Sequence, residues 1–209
     1  VAGITSATAA VTVNLTTLDP DGAGFLSVSP GACGTAVPGT STLNVAAGAH
    51  LAAATTVALG DGRLCIYTSV ATDITLDLQA VHGELGGELQ VASPVRLADT
   101  RGGTLVGPDH VLEINPAAPP SGATMSMPSV PLGAVLSVIA VGPATATEVF
   151  VGPCSADAGA PQLLVASGAT TANRITVPID ESAGPWCVTA TTRTQIVVDL
   201  EAWVAGFPL

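Results

Sequence analysis

The sequence predicts an all-β protein built from two tandem β-sandwich-like units, each closed by one disulfide. Three observations carry that expectation. Short stretches alternate apolar and polar residues with β-branched enrichment, the landmarks of the first half return about 120 residues later, and the four cysteines fall at equivalent places in the two copies. Composition agrees, with 48% hydrophobic and only 10% charged residues and with 23 Gly and 16 Pro in the chain of 209. That is too apolar for disorder and too rich in helix breakers for a helical bundle.

In the first unit the strand pattern falls on "AVTVNLTT" (10–17), "GFLSVSP" (24–30), "TTVAL" (55–59), "RLCIYTS" (63–69) and "DITLDLQAV" (73–81). "DPDGAG" (19–24) and "GDGR" (60–63) read as hairpin connections, because Asp and Gly tolerate the positive φ of such turns. In the second unit it falls on "AVLSVIAV" (134–141), "EVFVGP" (148–153), "QLLVAS" (162–167), "RITVPI" (174–179), "WCVTATT" (186–192) and "QIVVDLEAWV" (195–204). No segment keeps a helical period over several turns.

The internal repeat orders these strands. "LNVAAGAHLAAATTVAL" (43–59) lies over "LLVASGATTANRITVPI" (163–179), "ATDITLDLQA" (71–80) over "RTQIVVDLEA" (193–202), and "FLSVSPGAC" (25–33) near "EVFVGPC" (148–154). Cys33 then stands over Cys154 and Cys65 over Cys187. Of the three connectivities four cysteines allow, this favours Cys33 with Cys65 and Cys154 with Cys187. Four free thiols or a shared metal site are the alternatives, but no tight C-x-x-C spacing supports a metal. Closing loops of this length stabilises each unit by about 3–4 kcal/mol in the chain-entropy account. Bridges of this kind point to an oxidising compartment, hence to a secreted or cell-surface protein. The chain opens "VAGITSATAA", with no basic start or long apolar core, so it is expected to follow a cleavage or an arbitrary boundary. The units are placed at residues 1–86 and 87–209. Residues 83–130, without a counterpart in the first copy, serve as a leader for the second unit or as a linker.

"PVRLADTRGG" (94–103) followed by a Val-rich strand, a Pro-Cys landmark, an "LNVAAG" stretch and a closing "ATDITLDLQAV" resembles a repeat of secreted actinobacterial proteins. In that family the unit opens on R-L-x-D-T-R and closes on an apolar strand ending in a valine, a glycine and an aromatic residue. The resemblance covers residues 9–83 and 94–206, and it implies a secreted, tandem β domain of unassigned activity. The first unit lacks its own R-L-x-D-T-R opening. Its sheet is therefore expected to be incomplete, or to take the motif from elsewhere, and an open edge invites a strand from a neighbour.

Charge excludes some functions. The net charge is −11, with no lysine and only Arg63, Arg96, Arg101, Arg174 and Arg193 as cations, so nucleic acid and anionic membranes are repelled. No stretch of about 18 uninterrupted apolar residues is present, so no membrane insertion is expected. An enzyme is not expected either: His50, His82 and His110 stand in unrelated contexts and no G-x-S-x-G occurs. Neither cofactor nor metal is expected. Asp19, Asp21 and Gly22 resemble the start of a calcium loop, but without its distant Glu a plain turn is favoured.

Arg96, Asp99 and Arg101 suit either an anion clamp or an internal ion pair pinning the leader to the sheet, and the ion pair is the expected role. Asp77 and Asp199 share one repeat position and are expected to face solvent or an arginine. Among the few aromatic residues, Trp186 is expected to pack on the Cys187 bridge, and Tyr67 and Trp203 are the candidate glycan contacts. The function expected from all this is that of an extracellular structural or adhesive surface protein. Its partners would be further copies in a homo-oligomer, or other cell-surface proteins. The alternative is a carbohydrate-binding accessory domain of a secreted protein.

Overall fold

Alternation of Val, Thr and Leu makes the stretch following Thr8 a strand whose side chains point in turn to opposite faces. The computed structural model describes residues 8–39, 41–83, 88–116, 128–154, 159–179 and 185–206, and the chain divides into two compact units, Val1–Gly86 and Gly87–Leu209. The Pro-rich tract at 117–127 and Phe207 lie outside the described residues. Among the described residues no helix is long and apolar enough to cross a membrane.

Unit 1 contains β1 (Thr8–Leu18), β2 (Gly24–Pro30), β3 (Leu43–Val45), β4 (Leu51–Ala58), β5 (Leu64–Thr68) and β6 (Asp73–Gly83). They form two antiparallel sheets, β4-β1-β6 and β3-β2-β5. Val11 and Val13 of β1 meet Val57 of β4, with Val28 and Leu64 of the second sheet packed against them. Leu15 joins Leu26 and Val45 in a second small cluster. The two sheets thus bury facing sides, the defining feature of a sandwich. The Cys33–Cys65 disulfide closes this unit over a sequence separation of 32, with a Cα–Cα distance of 4.9 Å.

The hairpin reading of "DPDGAG" is corrected here. Both sides of β1 are taken by β4 and β6, so β2 cannot pair with it and the turn carries the chain from one sheet to the other. "GDGR" is a tight turn as expected, with Asp61 at φ 52° and Gly62 at φ 71°, and Gly60 and Arg63 exchange backbone hydrogen bonds of 2.9 and 3.0 Å. It too joins strands of different sheets. Gly60 is required for a second reason: a Cβ there would come within 2.7 Å of the Gly31 backbone.

Unit 2 contains β7 (Glu88–Asp99), β8 (Leu112–Ile114), β9 (Pro131–Val141), β10 (Thr147–Pro153), β11 (Leu163–Val165), β12 (Thr170–Pro178), β13 (Trp186–Ala190) and β14 (Gln195–Ala205). Its sheets run β12-β9-β14-β7 and β11-β10-β13-β8. Inward side chains of both, among them Leu136, Val138, Val151, Leu163, Val188 and Leu200, form one continuous core. Each such fully buried side chain stabilises the fold by about 1.5–3 kcal/mol relative to exposure. Cys154–Cys187 closes this unit over a separation of 33.

The pairing orders correspond: β4-β1-β6 matches β12-β9-β14, and β3-β2-β5 matches β11-β10-β13. Unit 2 adds β7 beyond β14 and β8 beyond β13, both drawn from the segment between the units' shared elements. Residues 88–114 are therefore a leader built into unit 2.

Candidate functional site

The leader is held to unit 2 by charge, backbone pairing and apolar burial together. Asp199 of β14 lies opposite Arg96 of β7 in the ladder. The Arg96 guanidinium donates from Nε to Asp199 Oδ1 and from Nη2 to Oδ2, the latter at 3.3 Å, while Nη1 donates to Asp99 Oδ2 at 2.6 Å. Arg101 donates to the same Asp99 from Nη2 at 2.6 Å, from Nε at 2.9 Å and from its backbone N–H at 3.0 Å. The expected trio meets in space, and Asp199 is a fourth member. Between Asp99 and Arg101, Thr100 extends the ladder: its N–H donates to Ile196 O at 2.9 Å and its Oγ1 accepts from Ile196 N at 2.8 Å.

The Arg101 side-chain and backbone hydrogen bonds hold the Asp99 carboxyl well below the usual carboxylate range. A depressed carboxyl contributes stability above its unfolded value near 3.9 and loses it as pH falls below that. The hydrogen bond to Asp199 raises the Arg96 pKa further above its already high value. Because the Arg96 side chain is 44% exposed, solvent screens the pair. A double-mutant cycle on Arg96→Gln and Asp199→Asn is expected to give a coupling of about 1 kcal/mol or less by chemical denaturation, shrinking with added salt. Zero coupling at low salt would show that the charge pair does not hold the leader.

Around this charged face, apolar leader residues enter the core. Val95, Leu97 and Ala98 pack against it. Val106 is fully buried and exchanges backbone hydrogen bonds of 2.9 Å with Thr194, and Ile114 of β8 pairs with Trp186.

Unit 1 shows the same geometry without a leader among the described residues. Asp77 lies opposite Asn14 on β1 as Asp199 lies opposite Ser137 on β9, which aligns Ile74 with Ile196 and Leu76 with Val198. Ile196 and Val198 are 0% exposed, whereas Ile74 and Leu76 are each 39% exposed. Beside them opens a groove of about 230 Å³ lined by Val11, Val13, Leu59, Leu64, Leu76 and Leu78. On the opposite face of β6, Asp77 Oδ2 is buried and finds no hydrogen-bond partner. Loss of solvation pushes this carboxyl up.

The sign of that shift gives a pH test. Between the unfolded value near 3.9 and the raised folded value, folded unit 1 binds more protons than the unfolded chain, so stability falls as pH rises through this window. Asp77→Asn is expected to remove the decline. In urea unfolding across pH 3–7, variant and parent should diverge as pH rises, the variant becoming the more stable; parallel curves would refute a buried, unpartnered carboxyl.

One of the remaining candidates moves. Trp203 is corrected: it is 1% exposed and part of the unit 2 core, so it offers no ring to a sugar. A β-bulge between Leu200 and Ala202 shifts the alternation by one residue and turns Trp203 inward, opposite Ala134. Tyr67 is half-buried and packs against Phe25 with ring centroids 5.7 Å apart and the planes tilted by 38°. Trp186 is buried in the core beside Cys187. Asp19 accepts a 2.8 Å contact from His50 Nε2, and no group of three or more metal-ligating residues gathers among the described residues. His110 lines a hollow of about 290 Å³ with Thr104, Leu105 and Asp109, whose carboxylate is engaged by Arg193.

The disulfides fit an extracellular or otherwise oxidising environment. No protein-family model, no curated protein and no solved structure matches the chain.

Proposed function

We propose that the chain is an extracellular structural or adhesive surface protein that works through sheet-edge and apolar contacts with other polypeptides. The observation that carries this reading is the β6 margin of unit 1, where Ile74 and Leu76 lie exposed beside an apolar groove. A strand whose outer edge is unpaired among the described residues, bordered by apolar side chains, pairs readily with another chain. A composition with only 10% charged residues and one bridge per unit support service outside the cell. So does the likeness of "PVRLADTRGG" to the opening of secreted actinobacterial repeats. A glycan-binding reading loses its better ring with the burial of Trp203.

Co-sedimentation with the surface fraction of the cell that carries the gene tests this. The parent chain is expected to pellet with that fraction, and the Ile74→Lys, Leu76→Lys double variant to stay in the supernatant. A parent chain that stays soluble, or a variant that pellets equally, would overturn the reading.

A further inference from the structure

Between β7, which ends at Asp99, and β8, which begins at Leu112, the chain of unit 2 makes a long irregular connection that backbone bonds nevertheless fix in place. Connections of this length in a compact domain are where binding residues concentrate. Val106 and Thr194 exchange two backbone hydrogen bonds of 2.9 Å, and Gly107 and His110 exchange two of 3.0 and 3.1 Å around Pro108 and Asp109. A Cβ on Gly107 would stand 2.9 Å from Arg193 Cγ and 3.2 Å from its Cα, so glycine lets this turn lie directly against Arg193. The result is a hollow of about 290 Å³ lined by Thr104, Leu105, Gly107, Asp109, His110 and Arg193. Asp109, His110 and Arg193 thus gather in one place in a chain of which only 10% is charged. Their polar atoms are only partly engaged. Arg193 gives Nη2 to Asp109 Oδ2, and among the described residues no hydrogen bond commits Asp109 Oδ1, Arg193 Nη1, the His110 imidazole or the Thr104 hydroxyl.

We infer that this hollow binds a neutral saccharide, one ring at a time, through neighbouring hydroxyls. The inference goes beyond the proposed function: it concerns unit 2 alone and makes no use of the β6 margin. The mixture of uncommitted donors and acceptors selects this class of ligand. A hydroxyl both donates and accepts, so one can donate to Asp109 Oδ1 while accepting from Arg193, and its neighbour can pair with Thr104 or with His110, which in its neutral form offers one donor and one acceptor. Leu105, 36% exposed, supplies an apolar contact for the C–H face of the ring, and aromatic stacking has no part in the site. An inorganic anion would meet the Asp109 carboxylate in a chain of net charge −11. A metal ion would find no group of three or more ligands among the described residues. The volume of about 290 Å³ falls just under the roughly 300–1,000 Å³ of most small-molecule sites, so a single ring fills it.

Titration of the methyl glycosides of glucose, galactose and mannose into the isotope-labelled full chain, followed through its amide NMR shifts, tests this. At least one glycoside is expected to saturate at about millimolar affinity, as a single small ring does in an open site, with shifts confined to residues 104–110 and 193. Asp109→Ala and His110→Ala are each expected to bind it about tenfold more weakly, from loss of a hydrogen bond to a hydroxyl. Both side chains are exposed, so the unfolding temperatures of these variants should stay parental. Arg174→Gln, at an exposed ion pair elsewhere in unit 2, should bind like the parent. If one of the hollow variants fails to fold, the other variant and the parental shift map decide. Absence of saturable shifts with all of the glycosides at tens of millimolar, shifts centred outside the hollow, or parental affinity in both hollow variants would overturn the inference. So would n-butanol or sulfate reproducing the glycoside shifts, since the first would leave only an apolar dent and the second would make the hollow an anion site.

Discussion

Replacing Cys33 and Cys65 together with alanine is expected to unfold unit 1 at a temperature where unit 2 remains folded. Removing a bridge that spans 32 positions lowers stability by about 3–4 kcal/mol in the chain-entropy account, because the unfolded chain regains the entropy the loop had cost it. Domains of this size are stable by only about 5–15 kcal/mol. Unit 1 has little to compensate with. Its described core consists of two clusters of three buried residues each, whereas unit 2 gathers 19 in one cluster. The matching change at Cys154 and Cys187 should lower the unit 2 transition without abolishing its fold. Scanning calorimetry of both variants, with hydrogen exchange on β1 and β9 to assign each transition, provides the check. Equal displacement of a single transition by either pair would show that the units do not unfold separately and that the core difference is immaterial.

Side-chain alternation decides which parts of the fold were legible in the sequence. β2, β6 and β14 carry alternating or β-branched side chains, and their limits follow from the pattern to within a few residues. β4 begins at Leu51, earlier than "TTVAL", because the intervening "LAAA" has no alternation to read. β3 and β8 are three residues long, too short for a period to show. β7 escaped for another reason: two register shifts in its ladder with β14 break the alternation, and Pro94 interrupts the strand pattern. Pairing partners were less legible than strands, since a turn such as "DPDGAG" looks alike whether it joins neighbours in one sheet or passes between two.

The charged cluster was half legible. Arg96, Asp99 and Arg101 are close in sequence, so their meeting requires only a local bend. Asp199 lies 103 positions from Arg96, and only the β7 and β14 register brings them together. The shared repeat position of Asp77 and Asp199 hinted at a common partner type. What sequence cannot show is that one has its arginine and the other a buried oxygen without a partner.

Trp203→Ala is expected to destabilise unit 2 by about 3–5 kcal/mol, the cost of deleting a large buried side chain and leaving a cavity. Trp203 is the largest fully buried side chain, packed with the unit 2 core. Its Nε1–H is buried without a hydrogen-bond partner, which by itself costs about 1–3 kcal/mol. Phenylalanine keeps much of the apolar volume and removes that donor, so Trp203→Phe should cost far less than alanine. Denaturant unfolding of the two variants separates these contributions. A surface ring used for recognition would behave otherwise: both variants would retain parental stability and lose only ligand binding. That outcome would return Trp203 to solvent and contradict the bulge at residue 201. The same one-residue shift occurs between Thr12 and Val13 in the β1–β6 ladder, which places Val81 opposite Val11 as Trp203 lies opposite Ala134. The two units thus break alternation at matching points, and in unit 2 the tryptophan joins a core that also holds Val106 and Ile114 of the leader.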